Sequence, residues 1–225
     1  MNVRFTRNLP TVTEAEQAEL YSRRVLLAGC GGLGGWLAEY LVRLGVGHIT
    51  LVDGDCFAPS NLNRQLDATE QTLGQNKAEA TAERLRSINR DAEIIAIPEY
   101  LTGENAGALL SDADVALDAL DSVPARLLLE EACEDAAVPL VHSAIDALCG
   151  QVTTILPGMR TLRTLYRNDT ASPASTLSFV PAYCAAVACA EALNLLLGRK
   201  PLLAGKLLVF DLGSLENTLL TLSEA

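Results

Sequence analysis

A glycine-rich turn followed by an aspartate is the first part of this chain whose residue types and spacing suggest chemistry. Residues 29–34 match the pattern G-x-G-x-x-G between a strand-like and a helix-like segment. Glycine lets the backbone take positive φ and approach a ligand closely, and the following helix N-terminus offers free N–H groups to a phosphate. Asp53 ends the next strand-like segment, where a carboxylate can accept hydrogen bonds from two ribose hydroxyls. The pattern predicts a nucleotide site without choosing among NAD, FAD and ATP. The candidate ligand-binding glycines are Gly29, Gly31, Gly32 and Gly34.

Three further polar segments follow the turn in order. Residues 60–65 are Ser-Asn-Leu-Asn-Arg-Gln, residues 74–77 are Gly-Gln-Asn-Lys, and residues 118–122 are Asp-Ala-Leu-Asp-Ser, with Arg126 soon after. Together with the glycine turn and Asp53 they resemble the ThiF/MoeB/HesA family of carrier-protein adenylyltransferases, relatives of the ubiquitin-activating enzymes. The resemblance extends over nearly the whole chain, from about Arg4 to Leu222. The five elements together are specific, whereas any one alone is weak.

The resemblance implies a role for each polar residue toward Mg²⁺–ATP. Asp53 would hold the ribose, and Asn61, Arg64 and Lys77 would contact the triphosphate. Arg can present a flat fork of donors to phosphate, and Lys a point charge. Asp121 would bind Mg²⁺, which favours a carboxylate supplemented by phosphates and waters.

The resemblance also implies an assembly and a partner. Arg7 corresponds to the family arginine that reaches into the site of the partner subunit, which implies a homodimer. Ser122 stands beside Asp121 where asparagine is common in the family, and it is a further candidate for nucleotide binding. The implied substrate is the C-terminal glycine carboxylate of a small ubiquitin-like sulfur-carrier protein ending in Gly-Gly. Its activation would yield an acyl-adenylate and pyrophosphate, for sulfur transfer in thiamine, molybdopterin or similar cofactor biosynthesis.

Two other functions share part of this pattern. A NAD-dependent oxidoreductase would use the glycine turn and Asp53, but it gives no role to residues 60–65, Lys77 or Asp121. A non-catalytic nucleotide-binding scaffold would use the same site without turnover. Each polar residue also has a plain structural interpretation, such as a solvated charge or a helix cap.

Alternating strand-like and helix-like segments must position these residues. They predict an α/β, Rossmann-like three-layer fold whose mixed sheet is parallel in the N-terminal half and partly antiparallel in the C-terminal half. We expect a single adenylation domain over residues 1–225, with an N-terminal helical arm at 1–22 and a crossover-type surface loop at 161–178. We expect His48 and His142 to be core or strand-end residues, and Asp118 to be structural.

Composition and cysteine spacing narrow the possible partners and location. The formal net charge is −11, which disfavours binding to a nucleic-acid backbone. The N-terminal residues lack the apolar stretch of a signal peptide, and residues 182–197 are apolar but interrupted by Glu191 and Asn194. We therefore expect a cytoplasmic protein that does not cross a membrane. The six cysteines form no Cys-x-x-Cys pair and none lies in residues 161–178, so we expect neither a zinc site nor a loop cysteine for a covalent step.

Overall fold

The computed structural model describes residues 3–167 and 175–222, which form a mixed eight-stranded sheet in the order β3-β2-β1-β4-β5-β6-β7-β8. β1 to β5 pair in parallel, and the pairs from β5 to β8 are antiparallel. The change of direction at β5–β6 is the one that the sequence predicts. The strands are β1 (Arg24–Ala28), β2 (His48–Val52), β3 (Glu93–Ile97), β4 (Val115–Asp118), β5 (Leu140–Asp146), β6 (Cys149–Ile155), β7 (Lys206–Asp211) and β8 (Glu216–Thr221).

Helices cover both faces of the sheet, which confirms the three-layer fold. One face carries α2 (Gly32–Leu44), α3 (Lys77–Ile88) and α7 (Phe179–Leu196). The other carries α4 (Ala106–Leu110), α5 (Val123–Asp135) and the short α6 (Thr161–Leu165). β1 shows that both faces of the sheet are covered. Val25 and Leu27 belong to the core on one face, and Leu26 and Ala28 belong to the core on the other. A strand buried on both faces has the continuous apolar sequence from which it was predicted.

The N-terminal arm packs against the domain. It contains a 3-10 helix, Val3–Asn8, and α1 (Glu14–Ser22), which begins with a capping box between Thr13 and Glu16. Leu20 of α1 is fully buried in the core under α2. The turn after α2 accepts the arm at close range, since a Cβ on Gly47 would lie 1.7 Å from a backbone oxygen of α1.

The expected surface loop at 161–178 needs a correction at its start. Residues 161–165 form α6, whose Leu162 is fully buried against α5. The Glu130 carboxylate of α5 accepts a 2.7 Å hydrogen bond from the Leu162 backbone N–H, so the start of this polar segment is fixed by α5. Residues 168–174, the middle of the expected loop, lie outside the described residues.

α7 is the one helix in the described chain with the length and composition to cross a membrane. Half of it is buried in the domain, where it packs against α2, β5 and β6. Core helices of globular domains share this length and apolarity, and Glu191 of α7 accepts hydrogen bonds from Leu202 and Leu203 backbone N–H groups. These contacts assign α7 to the core of the domain.

Candidate active site

A cleft of about 380 Å³ opens at the carboxyl edge of the parallel strands. Strands β1, β2 and β4 are parallel neighbours, so the segments that follow them meet at this edge. Chemistry-bearing residues from six separate segments therefore line one cleft, including most of the predicted site. Its predicted residues are Gly29, Gly31, Gly32, Asp53, Arg64, Lys77 and Asp121, and Gln65, Tyr100 and Arg126 also line it.

The glycine turn is shaped by close packing at two of its positions. Gly29 has φ +94°, and a Cβ there would lie 2.6 Å from the Ala119 carbonyl oxygen of the neighbouring segment. A Cβ on Gly34 would lie 1.9 Å from the Gly29 carbonyl oxygen, so only glycine lets α2 start this close to β1. Gly34 thus supports the site from behind the cleft, while Gly31 and Gly32 face it. The N-terminus of α2 is thereby presented to the cleft as a site suited to an anion.

Asp53 is held at the end of β2 by backbone donors. Its Oδ2 accepts from the Cys30 N–H at 2.7 Å and its Oδ1 accepts from the Asp55 N–H at 2.9 Å. Burial raises the pKa of this carboxyl group, and the two backbone hydrogen bonds oppose that rise. Each carboxylate oxygen can accept a further hydrogen bond, so Asp53 can receive a pair of ligand hydroxyls.

Lys77 reaches the cleft from the first turn of α3 and is nearly buried there. Its Nζ lies 3.0 Å from Asp55 Oδ2, and the Tyr100 hydroxyl donates to Asp55 Oδ1 at 2.6 Å. The hydrogen bond from Tyr100 and the Lys77 ammonium lower the pKa of Asp55 against a smaller opposing effect of burial. The ammonium therefore stands in the cleft with a single carboxylate partner among the described residues.

The loop between β2 and α3 supplies Arg64 and Gln65. Arg64 Nη1 donates to the Ser60 carbonyl and to Asn63 Oδ1, both at 2.9 Å. The other guanidinium donors are left for a ligand. Gln65 is buried, and its Oε1 has no hydrogen-bond partner among the described residues. An orphaned buried acceptor in a cleft wall fits a ligand that donates a hydrogen bond.

Asn61 and Ser122 occupy different places from the cleft residues. Asn61 is buried, and its Oδ1 accepts from the Ala58 backbone N–H at 2.9 Å, so it shapes the loop that carries Arg64. Ser122 is exposed at the start of α5 and makes no side-chain cap hydrogen bond there. Neither side chain lines the cleft, and a contact of either with nucleotide stays a prediction.

The two aspartates after β4 have separate environments. Asp121 is exposed and lines the cleft, whereas Asp118 is fully buried. Asp118 Oδ2 lies 2.6 Å from His142 Nδ1, and His142 is also fully buried. This pairing agrees with the structural interpretation of Asp118 and with a core position for His142.

Arg7 lies away from the cleft, exposed on the 3-10 helix of the N-terminal arm. The cleft of a single chain therefore does not receive it. Its predicted role needs a second subunit and stays a prediction.

Three of the cysteines, Cys149, Cys184 and Cys189, lie in environments that do not activate a thiol. Burial raises the pKa of both Cys184 and Cys189 to about 12. Cys149 is exposed, and its pKa is raised by desolvation and by the Asp211 carboxylate. At neutral pH these thiols are protonated, which makes them poor nucleophiles.

No group of three His, Cys, Asp or Glu side chains within residues 3–167 and 175–222 is arranged to hold a metal ion by itself. Asp121 suits a Mg²⁺ ion whose remaining ligands are phosphates and waters. The absence of zinc stays a prediction.

Sequence reasoning missed Tyr100 and gave Gln65 and Arg126 no role. Tyr100 lies in the loop after β3, outside the recognised motifs, and its pairing with Asp55 joins residues 45 positions apart. Gln65 and Arg126 lie inside or beside recognised motifs, so their positions carried a signal that was not used.

Comparisons with known proteins relate this chain to one family and one fold. Residues 5–224 match the model of the ThiF family. The chain is 33% identical over 202 residues to the SAMP-activating enzyme E1 of Haloferax volcanii, covering 87% of this chain and 75% of that protein. It is 35% identical over 216 residues to the sulfur carrier protein adenylyltransferase of Thermus thermophilus, covering 90% and 80%. The crystal structure of E. coli MccB with ATP superposes with a TM-score of 0.81 at 21% identity, covering all of this chain and 73% of the other, and shows the same fold.

Proposed function

This chain belongs to the ThiF family, and on that premise we propose that it uses ATP to activate the C-terminal glycine carboxylate of a small ubiquitin-like sulfur-carrier protein. The family and the named relatives support an adenylyltransferase enzyme. The observation that carries the proposal is the convergence of Asp53, Arg64, Lys77 and Asp121 on the cleft beside the glycine turn. A nicotinamide enzyme would give the last three no role.

The residues of the cleft divide between the two ends of a nucleotide. Asp53 has spare acceptors for the ribose hydroxyls, and the N-terminus of α2 offers N–H groups to the phosphates. Lys77 and Arg64 place positive charge on the phosphate side. A cleft with one carboxylate to accept from a sugar and several donors for phosphate has the groups that ATP binding requires.

The reaction needs positioning and positive charge more than proton transfer. The attacking carboxylate is already ionised at neutral pH, so no general base is required. One of its oxygens bonds to the α-phosphorus of ATP while the bond from that phosphorus to the bridging oxygen breaks, and pyrophosphate leaves. Both reactants are anions, and Lys77 and Arg64 offset their repulsion and the charge that develops on the leaving group.

Asp121 is the residue that would hold Mg²⁺. Its carboxylate is exposed in the cleft and next to a tightly bonded backbone segment, which suits a metal ion that takes its other ligands from phosphate and water. The ion would neutralise phosphate charge during the displacement.

The class of carrier is proposed from the names of the relatives. One relative activates SAMP and another adenylylates a sulfur carrier protein, so a carrier ending in Gly-Gly is the proposed partner. Thiamine, molybdopterin or a related sulfur pathway is the proposed context. A cytoplasmic homodimer in which Arg7 enters the partner's cleft is part of the same proposal.

Thermal unfolding with Mg²⁺–ATP, with NADH and with neither tests the ligand. A ligand at 100 times its dissociation constant adds about 2.7 kcal/mol of stability, so the midpoint should rise with Mg²⁺–ATP only. Asp121→Ala should lose the Mg²⁺-dependent part of the rise. Asp112→Ala is the matched control, because Asp112 is also exposed but pairs with Arg24 away from the cleft. Stabilisation by NADH and not by ATP would reject the proposal in favour of an oxidoreductase.

A further inference from the structure

Four side chains that are far apart in the sequence close a ring of hydrogen bonds through the backbone N–H and carbonyl of Leu120. Asp118 Oδ1 accepts from the Leu120 N–H at 2.9 Å. The Leu120 carbonyl accepts from Arg126 Nε and Nη2 at 3.0 and 2.8 Å. Arg126 Nη1 donates to the Tyr166 hydroxyl at 2.9 Å, and that hydroxyl lies 3.0 Å from His142 Nε2. The 2.6 Å contact of His142 Nδ1 with Asp118 Oδ2 completes the ring.

The donors and acceptors around this ring are consistent with one direction. The tautomer of His142 that satisfies both of its contacts carries the proton on Nδ1, which faces the Asp118 carboxyl group, and accepts at Nε2 from the Tyr166 hydroxyl. Burial is the largest effect raising the pKa of Tyr166, so the hydroxyl keeps the proton that it donates. The Tyr166 oxygen then accepts from Arg126 and from Gln151 Nε2, the latter at 3.0 Å. The Arg126 guanidinium and the Asp118 carboxyl group are thus joined through Tyr166 and His142.

The ring fixes the backbone next to Asp121. Both hydrogen-bonding groups of Leu120 are used, and Asp121, the next residue, is exposed in the cleft. Asp118 and His142 are fully buried, so water does not compete for their contact. Tyr166 directly follows α6, which connects the end of that helix to the backbone of the cleft.

We propose that Tyr166 and His142 are positioning residues that hold Asp121 where it meets Mg²⁺–phosphate. This inference rests on the proposed function. Neither residue reaches the nucleotide side of the cleft, and both act through Leu120. Asp53 takes its two backbone hydrogen bonds from Cys30 and Asp55, outside the ring, so the ribose end of the site is held by separate contacts, and the glycine turn meets the ring's segment through the packing of Gly29 against Ala119.

The test compares Tyr166→Phe with Tyr40→Phe. The first removes the hydroxyl and keeps the aromatic packing against His142 and Arg126. The second removes another partly buried tyrosine hydroxyl, which contacts the Ala182 carbonyl at 3.3 Å outside the ring. Calorimetric titration with ATP is made for each protein in excess Mg²⁺ and in EDTA. Wild type and Tyr40→Phe should gain affinity from Mg²⁺, and Tyr166→Phe should lose about tenfold of that gain while binding metal-free ATP as wild type does.

Hydrogen exchange at the Leu120 amide gives a readout that does not depend on nucleotide. Exchange should speed up in Tyr166→Phe relative to Tyr40→Phe, because the ring that holds both the N–H and the carbonyl of Leu120 is opened. Equal Mg²⁺-dependent gains in wild type and Tyr166→Phe would overturn the positioning role alone. Unchanged exchange at Leu120 would overturn the ring itself. A wild-type protein that binds no ATP in either buffer would overturn the proposed function, and this inference with it.

Discussion

Replacing Lys77 with methionine should do more than remove one positive charge. In the free protein the Lys77 ammonium lies 3.0 Å from Asp55 Oδ2, so the pair presents no net charge to the cleft. A bound phosphate would accept hydrogen bonds from the Lys77 ammonium, while the Tyr100 hydroxyl continues to donate to Asp55 Oδ1. In Lys77→Met the ammonium is gone and the Asp55 carboxylate is left facing the phosphates. The neutral pair, whose ammonium can bind phosphate, is thus replaced by a single carboxylate that repels it.

The size of the effect follows from these two parts. A charge-assisted hydrogen bond to phosphate contributes about 1.5–3 kcal/mol. Repulsion by Asp55 adds about 1 kcal/mol, because its side chain is 45% exposed and largely screened. Together they amount to about 3 kcal/mol, which weakens Mg²⁺–ATP binding by roughly 100-fold.

The double variant Lys77→Met with Asp55→Asn separates the two parts. It removes the repulsion and should bind Mg²⁺–ATP about fivefold more tightly than Lys77→Met alone. Isothermal titration gives the dissociation constants, and Lys206→Met, an exposed lysine on β7, serves as the control. Wild-type affinity in Lys77→Met would refute the assignment of Lys77 to the phosphates. A double variant that binds more weakly than the single one would refute the repulsion by Asp55.

Two further predictions concern stability and are measured by thermal or denaturant unfolding. Gly34→Ala should cost more than about 4 kcal/mol, because its Cβ would lie 1.9 Å from a backbone oxygen. Gly107→Ala should instead stabilise by about 0.5–1 kcal/mol, since Gly107 lies within α4 with open space around its Cβ position; equal effects in the two variants would contradict the packing of the turn. The pKa of Glu16 is lowered to about 2, first by the backbone hydrogen bond from Thr13 and then by Arg199. A lowered carboxyl pKa gives stability that is present above the usual value near 4.5 and is lost as pH falls toward 2, so Glu16→Gln should flatten the loss of stability across that window. A variant with the wild-type pH profile would rule out this linkage.

The parallel half of the sheet could be predicted because each of its strands is recognisable from its own short stretch of sequence. β1 and β2 are short apolar runs followed directly by Gly29 and Asp53, β4 is one that ends in Asp118, and parallel pairing brings these ends together. The same property placed Asp53 and Asp121 in one cleft. The resemblance to the family added Arg64 and Lys77, which the fold brings to the same cleft.

The contacts that organise the cleft could not be predicted from local sequence. Asp118 and His142 are 24 residues apart and meet because β4 and β5 are neighbours in register. Tyr166 joins them from the position directly after α6, a five-residue helix in a polar segment that was predicted to be a loop. Asn61 belongs to the family motif, yet its side chain accepts a hydrogen bond from Ala58 within its own loop. Side-chain partners of this kind depend on the folded arrangement of several elements.

The most direct test of carrier activation is pyrophosphate release with a carrier that ends in Gly-Gly and with the same carrier lacking its last glycine. The substrate is a carrier protein ending in Gly-Gly that is encoded near the gene for this chain. Asp121→Ala serves as the control in which the proposed Mg²⁺ ligand is removed. Pyrophosphate should be released by wild type only with the intact carrier, and Asp121→Ala should release none while remaining folded. ATP binding without pyrophosphate from either carrier would favour a nucleotide-binding scaffold, and equal release from both carriers would contradict attack by the C-terminal glycine carboxylate.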